Sequence, residues 1–158
     1  MTTADTTGST ISTTTGSTAT GSTATGRTAT GSISFADWTE QEAASSPAGP
    51  RTARASVANT FTGGIEAVRT ACDYSIAYTT GHEGAFTGME LVTGSVDGRH
   101  GTFVLEQRGT FAADGTIHCA FTVVPGSGTE DLAGLTGTGE YTCRPGAESF
   151  PYSLNYRL

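Results

Sequence analysis

The segment from Gly84 to Phe111 most constrains what this chain can fold into. Two runs of alternating polar and apolar residues flank Asp97-Gly98. An Asp-Gly pair between such runs is a strong β-hairpin signal, because both central positions of a type I′ turn need φ > 0. If these two residues form the whole loop, Glu90 lies opposite Leu105 on the more apolar face, within side-chain reach of Gln107. A three-residue loop would instead turn Glu90 outward.

Similar strand-and-turn patterns recur along most of the chain. Alternating runs predict eight strands and no helix, with strands in the ranges 32–36, 53–62, 65–79, 84–96, 99–111, 116–124, 135–143 and 150–158. Glycine is frequent, at 22 residues, and we assign it to turns between strands, while residues 41–50 are predicted to be a loop. This order favours an all-β fold, a closed antiparallel up-and-down barrel without free edges. A two-sheet sandwich is the alternative.

The face of the sheet that each residue occupies follows from the same alternation. Over residues 65–79 the even positions are mostly apolar, so we predict that Glu66 points into the interior together with Tyr74. The turn at Asp114-Gly115 allows two registers. A three-residue loop with its glycine in the left-handed region turns Ile117 inward, whereas a two-residue loop turns it outward. The apolar pattern favours the three-residue loop.

The N-terminal segment has a different composition. Residues 1–30 are almost entirely Thr, Ser, Gly and Ala, and a five-residue unit recurs between Thr18 and Ser32. Such a segment buries too little apolar surface to offset the entropy of ordering it. We therefore predict a disordered tail over residues 1–30 and one barrel domain over residues 31–158. A glycosylated stalk is the alternative for the tail, and it would require secretion.

Charge and hydropathy exclude several classes of protein. The net charge is -7 and the eight Lys and Arg residues are scattered, so the chain has no basic surface for nucleic acid or an anionic membrane. No apolar run approaches the length of a membrane span, and the N-terminus lacks a secretory pattern. We therefore expect a cytoplasmic protein with three free thiols. Its histidines and cysteines lack metal-ligand spacing, so no metal is expected.

A carboxyl group on an apolar face is the strongest functional signal in the sequence. Burial disfavours the charged form of a carboxyl group and raises its pKa, which suits a proton donor or general base near neutral pH. We therefore predict that Glu90 and Glu66 are catalytic. The alternative is a structural role, in which each carboxyl group pairs with an arginine or a tyrosine hydroxyl. Gln107, on the same face, is predicted to orient a substrate carbonyl or to hold Glu90.

Aromatic residues are predicted to complete the site. Amphipathic rings suit a pocket that is apolar but carries a few hydrogen-bonding groups. The alternative is that these rings only fill the core. The predicted substrate-binding residues are Gln107, Trp38, Tyr74, Tyr78, Phe86, Phe103, Tyr141 and Tyr152.

Several short stretches resemble one protein family. They are Phe35–Glu40, Arg54–Val57, Phe61–Glu66, Gly88–Glu90, Gly98–Val104, Val123–Thr129 and Leu132–Gly137, of which the last two are the most specific. Together they resemble a bacterial domain of unknown function, common in actinobacteria, with a barrel like that of allene oxide cyclase. The resemblance covers residues 31–158. Ala67 and Leu91 depart from it, since glycine and arginine are expected there. Leu91 adds an outward apolar residue beside Met89, close to Val104, which suggests a subunit interface.

The resemblance implies a class of function. The wider superfamily includes plant allene oxide cyclases, dirigent proteins and bacterial polyketide cyclases, which steer ring closure or coupling of a hydrophobic molecule without a metal or organic cofactor. By this analogy we expect a cofactor-independent cyclase or isomerase of a polyketide-like intermediate in natural product biosynthesis. A lipocalin-like carrier, or a filled barrel acting through its outer surface, is the alternative. The expected partners are a hydrophobic small molecule and further copies of the chain, as a dimer or trimer.

Overall fold

The barrel predicted from the sequence is confirmed. The computed structural model describes residues 25–158, in which eight antiparallel strands form one closed sheet in chain order. The strands are β1 (Arg27–Ser45), β2 (Arg51–Gly63), β3 (Ile65–Tyr78), β4 (Gly84–Val96), β5 (Arg99–Phe111), β6 (Ile117–Val123), β7 (Thr136–Cys143) and β8 (Ser149–Arg157). A short 3-10 helix, Glu130–Leu132, lies between β6 and β7.

Two predicted boundaries change. Residues 1–24 of the predicted tail lie outside the described residues. β1 begins at Arg27, opposite Tyr156 of β8, so residues 27–30 belong to the barrel. The predicted loop over residues 41–50 is too long, because β1 continues to Ser45 in register with β2. The polar sequence at the end of β1 has no apolar alternation, so the pattern did not reveal this part of the strand.

The hairpin of β4 and β5 has the predicted two-residue loop. Asp97-Gly98 places Val96 opposite Arg99, and both loop residues have positive φ, at 46° and 81°. Glu90 consequently lies opposite Leu105 and is fully buried. The register that places this carboxyl group in the interior is therefore confirmed.

The register at Asp114-Gly115 is also confirmed. The N–H of Ala112 donates to the carbonyl oxygen of Thr116 at 2.9 Å, which leaves a three-residue loop between them. Its glycine has a φ of 87°, in the left-handed region. Ile117 consequently faces the interior, whereas His118 is exposed.

A β-bulge in β3 overturns the predicted orientation of Glu66. Arg69 has a φ of 55°, and the pairing of β3 with β4 jumps from Glu66 to Ala71. A bulge places two residues of one strand opposite one residue of its partner, so the alternation reverses beyond it. Glu66 is therefore exposed on the outer face, whereas Thr70 and Tyr74 face the interior. The prediction that Glu66 lies inside the barrel is wrong.

Several glycines lie within strands, beneath aromatic rings, and not in turns as expected. A Cβ atom at Gly88 would lie 2.4 Å from Cδ1 of Tyr74 on the neighbouring strand. A Cβ atom at Gly109 would lie 2.3 Å from Cζ of Phe86. Glycine thus lets an interior ring pack directly on the backbone of the next strand. The glycine content therefore helps to position the interior aromatic residues.

The two ends of the barrel are packed differently. The closed end carries the turns at Gly63-Gly64 and Asp97-Gly98 and the β6–β7 loop, and side chains fill its interior. Leu132 of the 3-10 helix is fully buried there, as is Phe103 of β5. The open end is the opposite one, where the β1–β2, β3–β4, β5–β6 and β7–β8 loops meet.

The second half of β1 extends beyond its neighbour β8. Their pairing ends at Ser34 opposite Ser149, and residues 35–45, here called the β1 overhang, pair only with β2 among the described strands. The overhang contains a second bulge, at Asp37, whose φ is 57°. Phe35 and Trp38 are each 48% exposed. One wall of the open half is therefore hydrogen-bonded to a strand on one side only.

An apolar group lies on the outer face of the barrel. Met89 is 53% exposed and Leu91 is 51% exposed. Leu91 lies opposite Val104 of β5. The predicted outward orientation of these residues is confirmed, and a subunit interface at this face stays a prediction.

Candidate ligand-binding site

A cavity of about 410 Å³ occupies the open half of the barrel. Residues of the strands line it, and His82 and Gly115 line it from loops of the open end. Its volume falls in the range of small-molecule pockets, about 300–1,000 Å³. Eight of its lining residues are aromatic: Phe35, Trp38, Tyr74, Tyr78, Phe86, Phe111, Tyr141 and Phe150.

Most of the predicted site residues border this cavity. They are Glu90, Gln107, Trp38, Tyr74, Tyr78, Phe86 and Tyr141. Phe103 and Tyr152 do not, because both lie in the filled half of the barrel. The hydroxyl of Tyr152 accepts a hydrogen bond from the N–H of Ile65 at 2.7 Å, so it completes the backbone hydrogen bonding at the closed end.

Glu90 is held by neutral donors and not by an arginine. The amide nitrogen of Asn59 donates to its Oε1 at 2.8 Å, the hydroxyl of Thr70 contacts the same oxygen, and the amide of Gln107 donates to Oε2. Arg108, on the strand opposite Glu90, lies outside and pairs with Glu106 at 3.7 Å. The alternative in which an arginine or a tyrosine hydroxyl pairs with Glu90 is therefore wrong, and the carboxyl group lies in a neutral, hydrogen-bonded pocket.

Burial raises the pKa of Glu90 above its usual value of 4.5, and the hydrogen bonds from Thr70, Asn59 and Gln107 oppose this shift. The Thr70 hydroxyl also lies 3.1 Å from the backbone carbonyl oxygen of Asn59. It can donate either to Glu90 or to that carbonyl, so a rotation of one hydroxyl accommodates both protonation states of the carboxyl group.

Gln107 connects Glu90 to the rings that border the cavity. Its Oε1 accepts hydrogen bonds from the hydroxyls of Tyr74 at 2.9 Å and Tyr141 at 3.0 Å. Burial raises the pKa of both tyrosines, so both are neutral donors near pH 7. We call Glu90, Gln107, Tyr74 and Tyr141 the Gln107 cluster. It forms the floor of the cavity.

Two cysteines lie beside the cluster. The thiol of Cys119 is 3.7 Å from Oε1 of Gln107, and that of Cys72 is 3.6 Å from its Nε2. Both are free thiols, as predicted. Burial raises the pKa of Cys119 to about 11 and raises that of Cys72 further. Both are therefore protonated near neutral pH and are poor nucleophiles.

A second polar group lies at the rim of the cavity. The hydroxyl of Tyr78 donates to Oε1 of Glu40 at 2.7 Å, and Nη1 of Arg51 lies 3.5 Å from the same oxygen. The guanidinium carbon of Arg51 lies 3.5 Å from the centre of the Tyr78 ring. These contacts connect the β1 overhang to β3 across β2.

Three polar residues of the site were missed in the sequence. Asn59 occupies the same face of β2 as Val57, so alternation places it inside, but nothing marked it as a partner of Glu90. Thr70 lies on the face of β3 that alternation places inside, but nothing in the sequence marked it as a partner of Glu90. Glu40 lies in the part of β1 beyond its predicted end.

Metal-binding clusters and membrane-spanning helices are both absent from the described residues. Within residues 25–158, no three His, Cys, Asp or Glu side chains are grouped so that they could hold a metal ion. In the same range, no helix has the length and apolar character needed to cross a membrane.

Fold and site together define a closed β-barrel with an internal cavity. Residues 29–156 match the family model described as "Protein of unknown function (DUF3224)", so the chain belongs to this family. The chain is similar to the crystal structure of a protein with unknown function from the DUF3224 family of Shewanella oneidensis MR-1, with 28% identity and a TM-score of 0.67. That match covers 85% of this chain and 98% of the other. A comparison with curated proteins gives no match.

Proposed function

We propose that this protein binds a small, mostly apolar molecule in the cavity, with one polar group of that molecule against the Gln107 cluster. The supporting observation is a cavity of about 410 Å³ with aromatic walls and a hydrogen-bonded floor. Ligand pockets combine such apolar walls with a few placed polar groups. A barrel that served only as a scaffold would be more stable if side chains filled this space, because unfilled apolar volume lowers stability.

A neutral dye that fluoresces in apolar surroundings tests this proposal. N-phenyl-1-naphthylamine should bind saturably with one molecule per chain. Val57 lines the cavity, whereas Val68 is 77% exposed on the outer face, so the same substitution at each position gives a matched pair. Val57→Phe should weaken dye binding about tenfold by taking up cavity volume, and Val68→Phe should leave it unchanged. Equal effects of the two substitutions, or no saturable binding to the wild type, would count against the proposal.

Catalysis of ring closure or isomerisation is a second candidate, in line with the allene-oxide-cyclase-like resemblance. The observation that favours it is a carboxyl group, Glu90, whose pKa is raised by burial at the floor of the cavity. Such a group can exchange a proton near neutral pH. Glu90 borders the cavity but has no exposed surface, since Asn59 and Gln107 bind its two carboxylate oxygens, so it reaches a ligand only if one of these amides moves aside. Binding alone needs no such movement, and we therefore rank it first.

Product analysis separates the two candidates. Each molecule found to bind is incubated with the wild type and with Glu90→Gln, and the mixture is analysed by chromatography and mass spectrometry. An isomerase or cyclase converts its ligand into a product of equal mass and different retention time, and Glu90→Gln should slow this conversion. Recovery of every bound molecule unchanged from the wild type would instead support a carrier.

A further inference from the structure

The hydrogen bonds of the Gln107 cluster run in one direction. Oε2 of Glu90 accepts from Nε2 of Gln107, which orients the amide with its oxygen facing the two tyrosines. That oxygen accepts the hydroxyl protons of Tyr74 and Tyr141. A tyrosine hydroxyl has one proton to donate. With that proton directed at Gln107, each hydroxyl has only lone pairs left for a molecule in the cavity.

The side-chain amide of Asn59 is oriented like that of Gln107, with its nitrogen toward Glu90. Its Nδ2 donates to Oε1 of Glu90 at 2.8 Å, so Oδ1 lies on the other side of the amide. Among the described residues this oxygen makes no side-chain hydrogen bond, although Asn59 lines the cavity. Glu90 therefore sets the orientation of both amides next to it.

This order does not depend on the charge of Glu90. When the carboxyl group is protonated, the proton can sit on Oε1 and be donated to Thr70, whose own proton can go to the backbone carbonyl oxygen of Asn59 at 3.1 Å. Oε2 then still accepts from Gln107. The tyrosine hydroxyls keep their direction in both states.

We infer that the floor of the cavity presents hydrogen-bond acceptors, and that the ligand contributes a donor, such as a phenol, an alcohol or an N–H group on an apolar frame. The inference rests on the proposed binding function and names the chemistry of the ligand. It replaces the prediction that Gln107 orients a substrate carbonyl, because the amide nitrogen of Gln107 is directed at Glu90 and away from that role.

Glu90→Gln should reverse the preference of the cavity for a ligand that donates a hydrogen bond. The oxygen of the new amide can accept the hydrogen bonds that Asn59 and Thr70 donate. The nitrogen of the new amide then faces Gln107. Gln107 must turn over to present its oxygen to that nitrogen, which directs its own nitrogen at the tyrosine hydroxyl oxygens. Each hydroxyl would then accept from Gln107 and direct its proton into the cavity. The floor would become a donor without any change in cavity shape.

Three naphthalene probes of similar size test the inference by titration calorimetry at pH 7. 2-Naphthol is a donor, 2-methoxynaphthalene lacks the donor, and 2-acetylnaphthalene carries a carbonyl acceptor. We expect the wild type to bind 2-naphthol about tenfold or more tightly than the other two, since an unmatched buried polar group is costly. In Glu90→Gln the ratio of 2-acetylnaphthalene to 2-naphthol affinity should rise about tenfold or more. Glu66→Gln, the same change on the outer face, should leave the ratio unchanged.

The outcomes separate this inference from the proposed function. Equal wild-type affinities for all three probes would overturn the donor requirement and leave binding intact, whereas no binding of any probe would overturn both. If Glu90→Gln does not fold, the double variant Tyr74→Phe, Tyr141→Phe provides the second test. It should lose the preference for 2-naphthol over its methyl ether while still binding both. Retention of that preference without the two hydroxyls would contradict the inference.

Discussion

The hydroxyl oxygen of Tyr152 lies 2.7 Å from the backbone nitrogen of Ile65 and accepts its hydrogen bond. The same hydroxyl lies 3.3 Å from the carbonyl oxygen of Thr62 and 3.4 Å from that of Ile65, to which it can donate. One phenol thus satisfies backbone groups at the turn between β2 and β3. This location makes Tyr152 part of the closed end and not of the cavity.

Tyr152→Phe should lower stability without altering ligand binding. It leaves the buried N–H of Ile65 without a partner, which costs about 1–3 kcal/mol in the free energy of unfolding. Tyr156→Phe on the same strand is the control, because its hydroxyl donates to Asp97, whose exposed carboxylate can bond to water instead. Urea unfolding measures the loss and dye titration measures binding. A loss of dye binding at unchanged stability would instead show that Tyr152 takes part in ligand binding.

Glu90 should make stability depend on pH in a defined direction. Burial raises the pKa of Glu90 in the folded state above 4.5, its usual value in an unfolded chain. At a pH between 4.5 and the folded-state pKa, the folded chain therefore holds the proton more tightly than the unfolded chain does. Stability therefore falls as pH rises from about 4.5 to the folded-state pKa, by at most about 1.4 kcal/mol per pH unit, and the contribution is constant above it.

Glu90→Gln isolates this effect. The variant has no carboxyl group at this position, so the free energy of unfolding of the wild type minus that of the variant should decrease as pH rises through that window. Urea unfolding of both proteins at a series of pH values between 4 and 8 measures the difference. A constant difference over this range would show that Glu90 has the same pKa in both states.

Gly88→Ala should displace Tyr74 and destabilise the barrel. The added Cβ atom would lie 2.4 Å from Cδ1 of Tyr74 and 2.7 Å from the backbone oxygen of Asp73, which cannot move aside easily. We expect a loss of about 1–3 kcal/mol and weaker dye binding. Gly81→Ala, where no atom lies within 4 Å of the added carbon, should change stability by less than about 0.5 kcal/mol. Similar values for the two variants would show that the ring needs no such space.

Tyr78→Phe should loosen the β1 overhang. It removes the hydrogen bond that holds Glu40 at 2.7 Å, and the overhang has no second neighbouring strand among those described. A solvent-exposed hydrogen bond of this kind contributes about 1 kcal/mol, so amide hydrogen exchange of residues 35–45 should accelerate about fivefold. Tyr156→Phe, at the closed end, should leave exchange in the overhang unchanged. Unaltered exchange in both variants would show that backbone pairing with β2 alone sets the stability of this segment.

Turn chemistry made much of the barrel predictable. Asp97-Gly98 and Asp114-Gly115 need positive φ, and these turns set the register of β4, β5 and β6. The burial of Glu90 follows directly from that register. Local residues determine such turns, so the sequence alone is sufficient to find them.

The errors arise where long-range structure overrides the local pattern. Arg69 adopts positive φ although it is not glycine, so the bulge that turns Glu66 outward has no local signal. Phe103 and Tyr152 do face inside as alternation predicts, yet alternation cannot distinguish the filled half of a barrel from the hollow half. That distinction depends on which side chains meet across the interior. Leu132, for example, fills the closed end although it belongs to the loop between β6 and β7 and not to a strand.

The one-sided pairing of the β1 overhang has a consequence for how copies of this protein meet in solution. An unpaired strand edge can add a strand from another molecule, and such edges are protected in natural proteins by charge. The overhang carries Asp37, Glu40 and Glu42 and no lysine or arginine. Two copies joined edge to edge there would bring these acidic side chains together, and the resulting repulsion opposes such pairing, although Arg51 of β2 and Arg69 of β3 partly offset the charges of Glu40 and Asp37. Light scattering should therefore show more association through this edge at high salt, which screens the repulsion between these charges.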